Sequence, residues 1–142
     1  YITDCHPANH SSFAEFGGIW PSHCVEGTRG GDIHEAFYTD VVNPANRPDT
    51  ARNIFRKGCK QDEEQYSGFE SVNSNGVALK DYANKDVVIS GIATEYCVKN
   101  TVEEFLNSGR NIELLLEGLG YVDYEGHKAT IKELEKVVTV VK

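Results

Sequence analysis

Residues 86–92 (Asp-Val-Val-Ile-Ser-Gly-Ile) form a β-branched run that gives way within a few positions to a helical stripe of Val98, Val102, Phe105 and Leu106. Asn107-Ser108-Gly109 closes the stripe. Such a run fits a buried parallel strand, and a helix directly behind it implies a crossover rather than a hairpin. The alternation continues. Residues 111–115 read as a strand, residues 130–137 place Ile131, Leu134 and Val137 at helical spacing, and residues 138–141 read as a last strand. Upstream, residues 51–57 read as a short strand. The pattern predicts an α/β fold with a parallel sheet covered by helices, in one domain over residues 1–142. Ligands of such sheets collect at the carboxyl ends of strands, so the segment Gly91-Ile92-Ala93-Thr94-Glu95-Tyr96-Cys97 is where a catalytic group is expected.

Charge removes several functions. Fourteen Lys and Arg stand against 22 Asp and Glu, a net charge of −8. Phosphate binding needs clustered basic residues, so neither a nucleic acid nor an anionic membrane is an expected partner. No apolar run approaches the roughly 20 residues of a spanning helix. The start, Tyr1-Ile2-Thr3-Asp4, has no basic region or long apolar stretch of the secretory kind, although it does not open on Met. A cytoplasmic surface is the expectation, and the sequence leaves homo-oligomerisation open. Cys5, Cys24, Cys59 and Cys97 form no CxxC pair; their even count leaves a two-disulfide domain open, and the helix- and strand-rich pattern makes reduced thiols the expectation.

Cys97 falls in the first turn of the predicted helix, residues 95–108. A helix N-terminus favours thiolate, and its N–H groups can face an oxyanion. A small buried hydrophobe would look the same in sequence. Residues 5–32 are loop-like, punctuated by Pro7, Gly17, Gly18, Pro21, Gly27, Gly30 and Gly31, and they hold three of the five histidines and the only Trp. Asp4-x-His6 with His23 makes a three-donor group of the catalytic kind, with positions left open, and suits zinc, iron or manganese. Surface histidines without a metal are the plainer account. Lys57 ends a strand before Gly58, where a Lys can stabilise a thiolate, although most lysines are solvated. Trp20 could wall a flat ring or pack in a core.

Four segments together resemble the nicotinamidases, a branch of the isochorismatase-like cysteine hydrolases. They are Asp4-Cys5-His6-Pro7-Ala8-Asn9-His10-Ser11-Ser12-Phe13, Ile19-Trp20-Pro21-Ser22-His23-Cys24-Val25-Glu26-Gly27-Thr28, Phe55-Arg56-Lys57-Gly58 with Tyr66-Ser67-Gly68-Phe69, and Gly91-Ile92-Ala93-Thr94-Glu95-Tyr96-Cys97-Val98-Lys99-Asn100-Thr101. They keep the family's order and rough spacing and cover most of the chain. The resemblance implies a three-layer isochorismatase-like fold and hydrolysis of nicotinamide to nicotinate and ammonia. By matching position Cys97 would be the nucleophile, the N–H groups of Ala93 and Cys97 the oxyanion hole, and Lys57 a stabiliser of thiolate and oxyanion. A cis peptide is implied between Ile92 and Ala93. A divalent ion on Asp4, His6 and His23 would bind the pyridine nitrogen, and His10 stands where some relatives place a further ligand. Trp20, Tyr66 and Tyr96 would line the ring site.

The family's general base, an Asp on a strand upstream of the metal loop, has no match here. The chain reads as N-terminally truncated, and residues 1–142 by themselves are expected to show no useful turnover. Three other readings stay open. The chain could act on a different small amide, serve as a non-catalytic metal-binding homologue, or be a thiol redox protein that uses Cys97, for which no resolving Cys is near.

Overall fold

The computed structural model describes residues 1–142, which form two compact units: residues 1–65 with 70–79, and residues 66–69 with 80–142. In the first unit, strands β1 (Ile2–Asp4) and β2 (Phe55–Lys57) pair in parallel, Ile2 beside Phe55 and Asp4 beside Lys57. The register sets the two strand ends, Asp4 and Lys57, side by side. Strand β2 is shorter than the expected 51–57. Asp49 draws the preceding residues into a turn: its carboxylate accepts the Ala51 amide at 2.9 Å and its carbonyl the amides of Arg52, Asn53 and Ile54. A local Asp–backbone bond competes with extended chain. Residues 5–32 are irregular as expected, with 3₁₀ turns at Ala14–Phe16 and Arg29–Gly31. Helix α1 (Ala36–Thr39) and a 3₁₀ turn at Pro44–Asn46 follow.

The expectation of four reduced thiols fails in this unit. Cys5 is bonded to Cys59, with Cα atoms 4.8 Å apart, inside the usual range for a disulfide. The cause is the β1–β2 register, which runs on past Asp4 and Lys57 (Cys5 N–H donates to the Lys57 carbonyl, 3.0 Å) and so brings together residues 54 apart in sequence. Cys24 and Cys97 lie outside the bond. Thiol titration of the denatured, non-reduced chain should therefore count two thiols, rising to four after reduction. Four before reduction would remove the cross-link.

Short helix α2 (Leu79–Tyr82) precedes the second unit's sheet. Strands β3 (Asp86–Gly91), β4 (Asn111–Leu119) and β5 (Thr139–Val141) are parallel, in the order β3-β4-β5. Between them run a π-helical turn (Thr94–Val98), helix α3 (Lys99–Asn107) and helix α4 (Tyr124–Leu134). Val98, Val102 and Phe105 bury one stripe of the turn and α3; Ile89, Ile112, Leu114 and Leu134 are the unit's other buried aliphatics. Each contributes about 1.5–3 kcal/mol. Strand β4 outruns the expected 111–115 because Gly91 pairs with Leu119 beyond a register shift after Ile89. Helix α4 starts earlier than the apolar spacing of 130–137 suggests, because Asp123 caps it, accepting the Gly126 amide at 2.6 Å. No helix is long and apolar enough to cross a membrane.

Candidate active site and metal centre

In the first unit Asp4, His6 and His23 offer donor atoms that all lie within 4.8 Å of one another. Backbone carbonyls set both imidazoles. His6 Nδ1 is 2.7 Å from the Gly58 carbonyl and His23 Nδ1 is 2.8 Å from the Pro21 carbonyl. A carbonyl only accepts, so each Nδ1 carries the proton and each Nε2 keeps its lone pair, the outer-shell arrangement that prepares histidine for a metal. Phe13, fully buried, packs on both rings, with centroids 5.7 Å from His6 and 5.4 Å from His23. The His23 loop is held by paired bonds to His6, whose amide donates to the Cys24 carbonyl and whose carbonyl accepts from Glu26. Cys24 turns that loop in a left-handed conformation, φ 46°, uncommon outside glycine. The donor chemistry fits a divalent ion, with two neutral imidazoles and one carboxylate.

Burial lowers the pKa of His6, and it outweighs the Gly58 bond and the Asp4 charge, which act to raise it. Folding therefore favours the neutral ring. Above the unfolded value near 6.5 this costs nothing. Below it the unfolded chain takes up the proton first, so stability falls with pH. The metal-free protein should lose Tm as pH falls below about 6.5, and His6→Gln should flatten that slope. An equal slope in both would assign the loss to other groups.

His10 is not part of the donor group. It is fully buried, its Nδ1 accepts the Ser12 amide at 3.2 Å and lies 2.7 Å from Ser12 Oγ, and its Nε2 faces the Glu63 carbonyl at 3.2 Å. Both nitrogens are engaged by protein. Lys57 is also buried, 4% exposed, with Nζ 2.5 Å from Asp4 Oδ1 and 2.9 Å from the Gln65 carbonyl. A buried ammonium needs such partners, since removing one costs about 3–5 kcal/mol. Trp20 is half-buried, and its ring lies 6.3 Å from that of His23.

In the second unit Cys97 sits in the π turn ahead of α3, half-buried. Val98 donates to the carbonyl of Ala93, five residues back, which opens the turn beyond α-helical pitch. The peptide Ile92-Ala93 is cis. Thr101 Oγ1 donates to the Cys97 carbonyl at 2.6 Å and accepts the Gly68 amide at 2.9 Å. Tyr66 and Tyr96 face each other, centroids 5.7 Å apart. Sequence reasoning missed Phe13, Gly58 and Thr101 as supports. The signal at Gly58 was a glycine directly after the strand-end lysine.

The strands are parallel in an α/β arrangement, with a cysteine in the turn behind one of them. No family model matches the chain. A pyrazinamidase of Pyrococcus horikoshii, solved in complex with zinc, superposes with a TM-score of 0.78 at 34% identity, over 99% of this chain and 73% of that one. PnC1 from L. infantum, solved in complex with nicotinate, gives 0.79 at 32%, over 99% and 69%. The nicotinamidase/pyrazinamidase of Mycobacterium tuberculosis is 30% identical over 133 residues, 90% of this chain and 66% of that protein. The chain belongs to the nicotinamidase/pyrazinamidase family of isochorismatase-like hydrolases. It spans no more than about two-thirds of the length of the curated relatives it matches, 66% and 63% of the first two.

Proposed function

We propose that this chain carries the metal site and nucleophile of a nicotinamidase, which converts nicotinamide and water to nicotinate and ammonia. The observation that carries the reading is the pair of imidazoles pinned at Nδ1 by the Gly58 and Pro21 carbonyls, with Asp4 beside them. A ring nitrogen of the substrate is a natural further ligand for such a site. Asp4, His6 and His23 would hold zinc, iron or manganese, and the bound ion would orient the pyridine ring. A zinc complex in one relative and a nicotinate complex in another support the metal and the product class.

Every remaining role except the general base is assigned to this chain's own residues. Cys97 thiolate attacks the carboxamide carbon. The carbonyl oxygen becomes an oxyanion, assigned to the N–H groups of Ala93 and Cys97. The C–N bond breaks as the leaving nitrogen takes up the proton that the Cys97 thiol gave up, and ammonia leaves. Water then cleaves the Cys97 thioester to nicotinate and restores the thiol. Lys57 is assigned to stabilise the negative charge at thiolate and oxyanion. Trp20, Tyr66 and Tyr96 are assigned to the aromatic ring. The general base is given to no residue of the 142.

The test supplies the full-length protein with zinc, iron or manganese in turn and measures ammonia from nicotinamide, pyrazinamide and non-aromatic small amides. Release from the aromatic amides is the expected result. Release from the non-aromatic ones alone would move the chain to another amidohydrolase activity. Metal uptake with no release from any would make it a non-catalytic homologue.

A further inference from the structure

We infer that Glu95 is a positioning residue for the nucleophile, and that it works by tying the turn of Cys97 to the loop between β4 and α4. The inference rests on the reading of Cys97 as nucleophile. Glu95 Oε1 accepts two backbone N–H groups, from Val122 at 2.8 Å and from Asp123 at 2.6 Å. Its Oε2 is buried with no hydrogen-bond partner. A surface glutamate that merely caps a loop would leave its second oxygen in water. This one spends a buried oxygen to keep the other in place, which points to a constraint on where Glu95 sits.

The neighbouring residue makes a second tie to the same loop. Thr94, fully buried, donates from its amide and from Oγ1 to the Gly120 carbonyl, both at 2.8 Å. Its hydroxyl proton is thereby used, so His127 Nδ1, 2.9 Å away, donates to Thr94 Oγ1. Gly120 in turn donates to the Gly91 carbonyl at 3.0 Å. The fixed loop therefore grips the turn at residues 94 and 95, three and two positions before Cys97. The gap beneath the grip is small, since a Cβ on Gly126 would lie 3.8 Å from Glu95 Cγ and 3.2 Å from Asp123 Oδ2. Charge is not what the two amides require. They need an acceptor oxygen at the length of a glutamate side chain. Glutamine offers one with the same reach, and aspartate holds its oxygen one methylene short.

The experiment compares Glu95→Gln, Glu95→Asp and Glu95→Ala in the full-length, metal-loaded protein. It reads kcat and KM for nicotinamide, the rate of Cys97 alkylation by iodoacetamide, and Tm. Glu95→Gln should stay within about threefold of the parent in kcat and in alkylation rate. Glu95→Asp and Glu95→Ala should lose about 100-fold in kcat with KM nearly unchanged, and alkylation should slow in step, because an angstrom of misplacement costs about that much. Should Glu95→Ala fail to fold, the Gln and Asp variants decide. Normal kcat in Glu95→Asp with a slow Glu95→Gln would mean that charge matters rather than reach, and would overturn the inference. So would unchanged kcat in all three. Ammonia release that survives Cys97→Ala would instead remove the nucleophile reading, and the alkylation rates would still report whether Glu95 positions the thiol.

Discussion

Cys97→Ala should reduce ammonia release from nicotinamide by about 10⁴-fold or more while leaving the protein folded and able to bind one zinc. The size follows from the role. A residue that forms a covalent intermediate cannot be bypassed by the groups around it, and what survives its loss is the weak catalysis of binding and oxyanion contacts. Folding should tolerate the change, since Cys97 is half-buried and the turn is held without its thiol, by Thr101 Oγ1 donating to the Cys97 carbonyl and the Val98 amide donating to the Ala93 carbonyl. Zinc stoichiometry should not move, because Asp4, His6 and His23 all belong to the other unit. Equilibrium dialysis beside the ammonia assay checks both halves. An alanine variant that turns over normally would end the thioester proposal whatever the metal does. A serine variant adds a second reading: it restores a nucleophile but not a thiolate, so it should stay far below the parent.

Strand β3 and the stripe of α3 were legible because burial imposes a pattern on side-chain type, and a β-branched run followed by 3.6-residue spacing has few other solutions. The grouping of Asp4, His6 and His23 was legible because the residue types that can hold a metal are few. The supports were not legible. The carbonyls of Gly58 and Pro21, which decide the tautomers of His6 and His23, belong to the backbone and leave no mark on residue identity. His10 shows the converse: its type suits a ligand, yet Ser12 and the Glu63 carbonyl occupy its nitrogens. The Cys5–Cys59 bond escaped because it depends on the register of two strands far apart in sequence. Taken alone Lys57 read as an ordinary solvated lysine, and only the family resemblance gave it a role; pairing with Asp4 permits its burial.

Gly58→Ala should cost the protein most of its metal affinity, and a matched glycine shows why the loss is specific. Gly58 adopts φ +62°, and a Cβ there would stand 2.5 Å from His6 Cε1, 2.8 Å from His6 Nδ1 and 3.5 Å from Asp4 Oδ1. The His6 ring is 2% exposed and packed against Phe13 and His10, so it has little room to retreat. Any retreat breaks the bond from Nδ1 to the Gly58 carbonyl that holds the tautomer. Two penalties add. Left-handed backbone on alanine costs about 1–2 kcal/mol, and crowding a packed site costs about 1–3 kcal/mol. Loss of the bond from His6 Nδ1 to the Gly58 carbonyl should lower zinc affinity by about 10- to 100-fold. Gly76 separates these causes, because it takes a similar φ of +75° with nothing within 4 Å of its Cβ position. Gly76→Ala should carry the backbone penalty alone, seen as a modest drop in Tm, and should bind zinc like the parent. Titration calorimetry on both variants makes the comparison. Equal zinc affinity in the two would mean that the carbonyl and the free space beside His6 do not prepare the metal site, and the preorganised imidazoles would lose their standing as the feature that carries the functional reading.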